Sequence, residues 1–258
     1  MPTLPLSGRV AVVTGASAGI GEAIVQALSA AGASVILNAR RADRIEAIAA
    51  KLPNAVCVSG DAADPAVITQ MLDTAVAKFG KEADLVVVNA GRGLNGSVLT
   101  SDQTQWEEMI RTNILAAARL IRESGTRMAA QSQGKTGPAV IGQPRDIIAI
   151  GSVVGRHVSP FSSMYGGTKF ALHGMIEGVR RELAGKGVRV SLVEPGFVVS
   201  EFQGVAGYNP DWVKEVFEKI GPPLTPDDVA RTLTFIASQP AGVHVSDLMI
   251  RPTRQDYP

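Results

Sequence analysis

Seven short runs rich in Val, Ile and Leu alternate with helix-patterned stretches along the chain, and this order restricts the fold to an α/β architecture: a parallel sheet joined by crossover helices. The runs are RVAVVT at 9–14, ASVILN at 33–38, AVCV at 55–58, DLVVV at 84–88, DIIAI at 146–150, VRVSLV at 188–193 and DLMI at 247–250. Most are near-continuous rather than alternating, as strands buried on both faces require. Between them the apolar period changes. Ile20, Ala23, Ile24, Ala27, Leu28 and Ala31 fall on one helical stripe, as do Val67, Ile68, Met71, Leu72, Ala75, Val76 and Phe79. Helix starts are marked where Asp64 precedes Pro65 and where Thr225 precedes Pro226.

The 258 residues carry 45% hydrophobic content, enough for a large core, and no repeat, low-complexity tract or linker composition divides them. Residues 1–258 are therefore expected to form one unit. A net charge of +1, with basic residues scattered among acidic ones, leaves no electrostatic footprint for nucleic acid. Cys57 is the single cysteine and lies in the apolar AVCV run, so the expectation is a buried strand thiol in a reducing, cytoplasmic setting. No apolar stretch of about 18 residues is present, so neither secretion nor membrane binding is expected. No His, Cys, Asp and Glu grouping has metal-ligand spacing.

The first strand runs directly into TGASAGIG at 14–21, followed at once by the striped helix. In such a turn Gly15 permits the reversal, Gly19 lets backbone approach a pyrophosphate, and Gly21 packs helix against strand, with free amides at the helix start beside Ile20. A plain strand-to-helix turn is the alternative, and position after the first strand favours dinucleotide binding. Farther on, Ser152 in GSVVG stands thirteen residues before Tyr165, which opens YGGTK. Tyr165 and Lys169 are four apart and share a helical face, so a hydroxyl, a phenol and an ammonium come together. A neighbouring cation lowers a phenol's pKa from about 10 toward the range useful for general acid–base work. Taken alone, that spacing is also common in solvated surface pairs.

TGASAGIG at 14–21, Asp61 in SGDAAD, NAG at 89–91, Asn113 in TNIL, Ser152, YGGTK at 165–169 and PG at 195–196 stand in order along the chain. With these motifs the sequence resembles the short-chain dehydrogenase/reductase family, in its compact single-domain branch, over residues 9–250. The resemblance implies a single-domain, Rossmann-type doubly wound parallel sheet of seven strands with helices on both faces, and hydride transfer between a nicotinamide dinucleotide and an alcohol or carbonyl. It implies a catalytic tetrad of Asn113, Ser152, Tyr165 and Lys169. Tyr165 is then acid or base, Ser152 orients the substrate oxygen, Lys169 depresses the phenol pKa and holds the ribose, and Asn113 positions a relay water. Asp61, beside Ala62, is expected at the adenine; Asn89, Ala90 and Gly91 beside the adenosine ribose; and Pro195, Gly196, Val198 and Ser200 along the nicotinamide half, Ser200 on the carboxamide.

After the second strand the chain reads N-A-R-R, with Ala39 at the usual acidic position of NAD-using relatives. A guanidinium there clamps a 2′-phosphate, so NADP(H) is favoured over NAD(H), with Arg40 as the principal clamp and Arg41, Ser17 and Asn38 beside it. One of the two arginines is equally read as a solvated helix start. Residues 197–224 form the expected substrate lid. Phe197, Phe202 and Tyr208 from it, with Val154, His157 and Phe161, are expected to line an apolar pocket for a ketone, aldehyde or secondary alcohol; Trp212 and Phe217 are equally read as lid packing. The ending IRPTRQ resembles the group acting on 3-hydroxy acids and serine-like alcohols, the alternative substrate. An idle dinucleotide-binding sensor or scaffold is the reading from another class. Residues 131–145 read as a protruding insertion that covers a partner subunit, the active-site mouth, or neither. By resemblance, the expected assembly is a homotetramer or homodimer.

Overall fold

The computed structural model describes residues 4–157 and 159–256, so the outermost ends of the expected 1–258 unit lie outside the described residues. Strands β1 (Val10–Thr14), β2 (Ser34–Ala39), β3 (Ala55–Ser59), β4 (Leu85–Val88), β5 (Asp146–Ile150), β6 (Arg189–Pro195) and β7 (Asp247–Ile250) form one sheet. Their order is β3-β2-β1-β4-β5-β6-β7, every pair parallel. Helices α1 (Gly19–Ala30), α2 (Ala42–Ala49), α3 (Pro65–Phe79), α4 (Trp106–Ile110), α5 (Ala116–Ala130), α6 (Ser163–Ala184), α7 (Phe202–Val205), α8 (Pro210–Ile220) and α9 (Pro226–Ala237) complete the fold.

All residues of β1, β4, β5 and β6 are buried, which explains why their apolar runs do not alternate. Successive side chains still point to opposite faces and feed two cores. Ala11, Val13, Ile148 and Ile150 pack with Ile24 and Leu28 of α1, Ile45 of α2 and Leu233 of α9. Val10, Val12, Ile147 and Ala149 pack with Ile68 and Met71 of α3, Leu120 of α5 and Leu172 and Ile176 of α6. The marked helix starts have their caps: Asp64 accepts from the Ala66 N–H at 2.9 Å, and Thr225 and Asp228 cap each other reciprocally. Strand order reverses between β1 and β4, which opens a crevice beyond the carboxyl ends of these strands.

At the opposite end of the sheet, four buried charges tie β1, β4, β5 and β6 together. Arg9 Nε meets Asp84 Oδ1 at 2.7 Å and Arg9 Nη2 meets Asp146 Oδ2 at 2.8 Å, while Arg189 Nε meets Asp146 Oδ1 at 2.6 Å. Both guanidiniums also reach the end of α9, where Ala237 O, Gln239 O and Pro240 O accept. Free carbonyls at a helix end are thereby satisfied.

Residues 131–145 do not reach the active-site mouth. They follow α5 and contain a 3-10 turn at Gly137–Ile141, and they are tied to the α6–β6 turn at the amino-terminal edge of β5. Ser132 Oγ donates to Lys186 O at 2.7 Å, and Arg145 donates to Met128 O, Val140 O and Lys186 O. These bonds place the insertion across the sheet from the crevice.

Candidate active site

The crevice is a cleft of about 650 Å³ whose walls come from the loops after β1, β2, β3, β4, β5 and β6. Gly15, Ser17, Gly19, Ile20, Gly21, Asn38, Arg40, Arg41, Asp61, Ala62, Asn89, Ala90 and Gly91 line one end. Ser152, Val154, Phe161, Tyr165, Lys169, Pro195, Gly196, Phe197, Val198, Ser200, Phe202 and Tyr208 line the other. Of the residues singled out from sequence, Asn113 lies behind the wall, and His157 is exposed on the turn after Gly155, outside the lining. The cleft therefore takes no wall from His157, whose backbone N–H closes the turn on Val153 O at 3.1 Å while the residue is exposed.

The glycine turn has the shape a diphosphate needs. Gly15 and Gly19 adopt φ +67° and +54°, which a side chain would strain, and a Cβ on Gly21 would stand 2.2 Å from Gly15 O. Asn89 braces this turn by donating Nδ2 to Thr14 O and Gly15 O. Asn38 donates to Val58 O and Gly60 O, leaving its buried Oδ1 without a partner at the cleft wall. An orphaned acceptor beside a side-chain-free cradle fits a dinucleotide. Burial alone would raise the Asp61 carboxyl, but the Ala63 N–H and Arg111 hold it below its ordinary value.

The two arginines after β2 diverge. Arg41 donates through both Nε and Nη2 to Ser17 Oγ, at 3.1 and 2.8 Å, inside the cleft end. Arg40 is 73% exposed and reaches Glu108 at 3.2 Å. Both arginines line the cleft, and Arg41 is the one bonded to Ser17. Sequence offered no signal to separate them, since each begins the same helix. Glu201, unremarked in the sequence, bonds both Arg41 at 3.2 Å and Arg44 at 2.8 Å and so ties segment 197–224 to the arginine end.

At the other end α6 carries Tyr165 and Lys169 one turn apart, both buried. Ser152 stands two residues past β5, where its Oγ accepts from the Val154 N–H at 3.4 Å and shares a hydrogen bond with the Tyr165 phenol. Lys169 Nζ donates to Ile150 O at 2.9 Å and stands 5.8 Å from the Tyr165 ring centroid. Burial raises the Tyr165 pKa well above the ordinary phenol value, and only the Ser152 hydrogen bond opposes it. Burial likewise lowers Lys169 to about 8. Desolvation thus moves the phenol and the ammonium in opposite directions, each toward its neutral form.

Asn113 occupies a π-helical turn, Arg111–Leu115, that joins α4 to α5. Its Nδ2 donates to Arg92 O and Thr168 Oγ1, both at 2.9 Å, and its Oδ1 accepts from the Arg92 N–H at 2.8 Å. Thr168, quoted within YGGTK but given no role there, is the link between this asparagine and α6. Over the phenol, Phe202 tilts against the Tyr165 ring at 5.5 Å, and Tyr208 stacks on Trp212 at 5.4 Å. Phe197 meets Trp212 and Phe217 edge-on, each at 6.3 Å. Trp212 reaches the lining and Phe217 does not.

A dinucleotide-shaped cleft that ends in a part-buried hydroxyl beside a buried phenol and ammonium defines a Rossmann-type oxidoreductase. Residues 9–209 match the short chain dehydrogenase family, and the chain belongs to it. It is 30% identical to an uncharacterized oxidoreductase of Staphylococcus aureus strain MW2, over 96% of this chain and 98% of that one. It is 31% identical, over 98% of its length, to the glycine betaine reductase ATRR of Emericella nidulans, of which it spans 19%. Among solved structures, the closed form of a serine dehydrogenase complexed with NADP+ superposes with a TM-score of 0.85 at 30% identity, covering 96% of both chains. No helix among the described residues is long and apolar enough to cross a membrane, and no group of three or more His, Cys, Asp or Glu among them could hold a metal ion.

Proposed function

We propose that the protein is an NADP-dependent carbonyl reductase or secondary-alcohol dehydrogenase. The observation that carries this reading is one cleft with the Ser152, Tyr165 and Lys169 side chains at one end and the Arg41–Ser17 pair at the other. The NADP+ held by the similar serine dehydrogenase supports the cofactor class. The nicotinamide dinucleotide, when bound, supplies or accepts the hydride. Tyr165 donates its proton to the carbonyl oxygen while Ser152 fixes that oxygen, and the Lys169 ammonium stabilises the phenolate left behind. Phe197, Phe202, Tyr208 and Trp212 make residues 197–224 a lid that excludes water from this end. Exposed Ile110, Leu115 and Phe170 support assembly into a homodimer or homotetramer.

NADPH consumption with a panel of ketones and 3-hydroxy or serine-like acids, the latter with NADP+, tests the reading. Turnover of a ketone supports it; binding without turnover of any panel member rejects it in favour of a sensor. The acid alternative draws on the serine dehydrogenase likeness, but the substrate end offers a carboxylate little. Arg92 is tied to Glu108 and Gln105, Lys169 to Ile150 O, and Lys219 on the lid stands 4.0 Å from Asp256.

Two further results are expected. Arg41→Ala should weaken NADPH by about ten- to a hundredfold and spare NADH, since a charge-assisted contact is worth about 1.5–3 kcal/mol. Ala39→Asp should shift preference farther toward NADH, because a carboxylate repels the phosphate and accepts from ribose hydroxyls. The measurement is kcat/KM for both cofactors with one ketone, and a ratio that moves less than about tenfold in both variants contradicts the assignment. The second result concerns pH. With Lys169 lowered to about 8, its charged fraction falls as pH rises through that value, and the field on the forming phenolate falls with it. Reduction should hold steady below that value and decline above it, while Tyr165, raised by burial, stays protonated throughout. A kcat/KM profile that rises across pH 8 contradicts this.

A further inference from the structure

His173 continues the stripe of α6 that carries the chemistry, four residues beyond Lys169 and eight beyond Tyr165. It has no role in the reaction just described, yet its side chain is only 12% exposed and lies directly beneath the loop that presents Ser152. Its Nε2 accepts from the Ser152 backbone N–H at 3.4 Å. The loop closes over the ring through two glycines. A Cβ on Gly151 would come within 2.5 Å of Nε2, and one on Gly155 within 2.3 Å of Cε1, so the imidazole fills the space that side chains there would need. Because Nε2 accepts, the ring proton sits on Nδ1, which faces Glu194 Oε2 at 3.9 Å. Glu194 is 1% exposed and is held by Arg156, whose Nε and Nη2 meet its two oxygens at 2.5 and 2.6 Å. Arg156 also bonds Asp247 on β7 at 2.9 Å, and it is the residue that follows Gly155. The Ser152 loop is therefore gripped at both ends, by His173 at Ser152 and by Glu194 at Arg156.

We propose that His173 is a positioning residue for Ser152, a neutral acceptor that fixes the serine's backbone and, through it, the direction of the hydroxyl toward Tyr165. Burial, then Lys169 and Arg156, hold its pKa down at about 4, so the Nε2 lone pair stays available through the working range. A protonated ring would lose that lone pair. Lys169 performs the matching task one turn earlier, on Ile150 O, so one helix face sets the end of β5 by two successive polar contacts. The hydroxyl must stand within a few tenths of an ångström of its productive place, and misplacing it costs rate rather than cofactor binding.

This inference rests on the carbonyl-reductase reading, and its test separates the two. His173→Leu, which keeps bulk and removes the acceptor, should lower kcat about ten- to a hundredfold and leave the NADPH Kd within about twofold. His173→Gln, whose Oε1 reaches the place of Nε2, should recover most of that loss. Amide hydrogen exchange at Ser152, followed by NMR, needs no turnover and should quicken in the leucine variant and slow again in the glutamine variant. Unchanged exchange in His173→Leu overturns the contact, even if the wild type reduces no carbonyl. Faster exchange with unaltered kcat in an active enzyme overturns the positioning role. Should the leucine variant fail to fold, His173→Asn, too short to reach the Ser152 N–H, carries the same expectations.

Discussion

Tyr165→Phe is expected to lower kcat for carbonyl reduction by about 10²–10⁴-fold and to leave the NADPH Kd within about twofold. The ring is buried against Phe202, so the substitution keeps the packing and removes only the phenol oxygen and its proton. Ser152 and Lys169 keep their own anchors, on the Val154 N–H and Ile150 O, and the lysine remains free to hold a ribose. What disappears is the acid. Burial raises the pKa of the phenol and keeps it protonated. Steady-state turnover and fluorescence titration with NADPH measure the two quantities. Activity within about tenfold of wild type would falsify the acid assignment. A large loss of NADPH affinity would show instead that the phenol holds the cofactor more than it transfers a proton.

The second large effect lies at the far end of the sheet. Asp146→Ala is expected to destabilise the protein by about 3–5 kcal/mol, because it leaves the Arg9 and Arg189 guanidiniums buried with half of their counter-charge gone. Asp146 is fully buried, and its two oxygens take three N–H bonds from these arginines. Arg9 keeps Asp84, but Arg189 retains only carbonyl acceptors, chiefly those of Gln239, Pro240 and Val243. The end of α9 should loosen with it. Urea unfolding reads the loss as a lower midpoint at constant slope. A change below about 1 kcal/mol would mean that water enters and solvates the arginines, and that this network contributes little. The cleft lies at the other ends of these strands, so turnover at low temperature should survive the substitution.

The strands and the glycine turn were legible because their signals are local. A run such as DIIAI is apolar on both faces wherever it occurs, and a helix start such as Asp64-Pro65 carries its own cap. The Tyr165 and Lys169 pair was legible for the same reason, since four residues on a helix set both on one face. His157 misled because sequence proximity to Ser152 says nothing about which way a loop turns after Gly155. No local signal says which of Arg40 and Arg41 bonds Ser17, 24 residues away, and Glu201, 160 residues away; the fold gives both contacts to Arg41 and leaves Arg40 beside Glu108. How far burial raises the Tyr165 pKa is set by the fold, since no pairwise spacing reports it.

The seven-stranded α/β class, the glycine turn at 14–21 and the α6 face shared by Tyr165 and Lys169 are written locally in the chain. Each of these follows from periodicity or backbone freedom over a few residues. Which charges meet is settled by the fold. Arg9 with Asp84 and Asp146, Arg41 with Ser17 and Glu201, and His173 with the Ser152 loop come together from residues far apart in the chain or on separate elements. Charged and polar side chains have no period that announces a partner. Their pairing is set by the strand order and by how deeply the fold buries them, and burial decides both their strength and the direction of their pKa values.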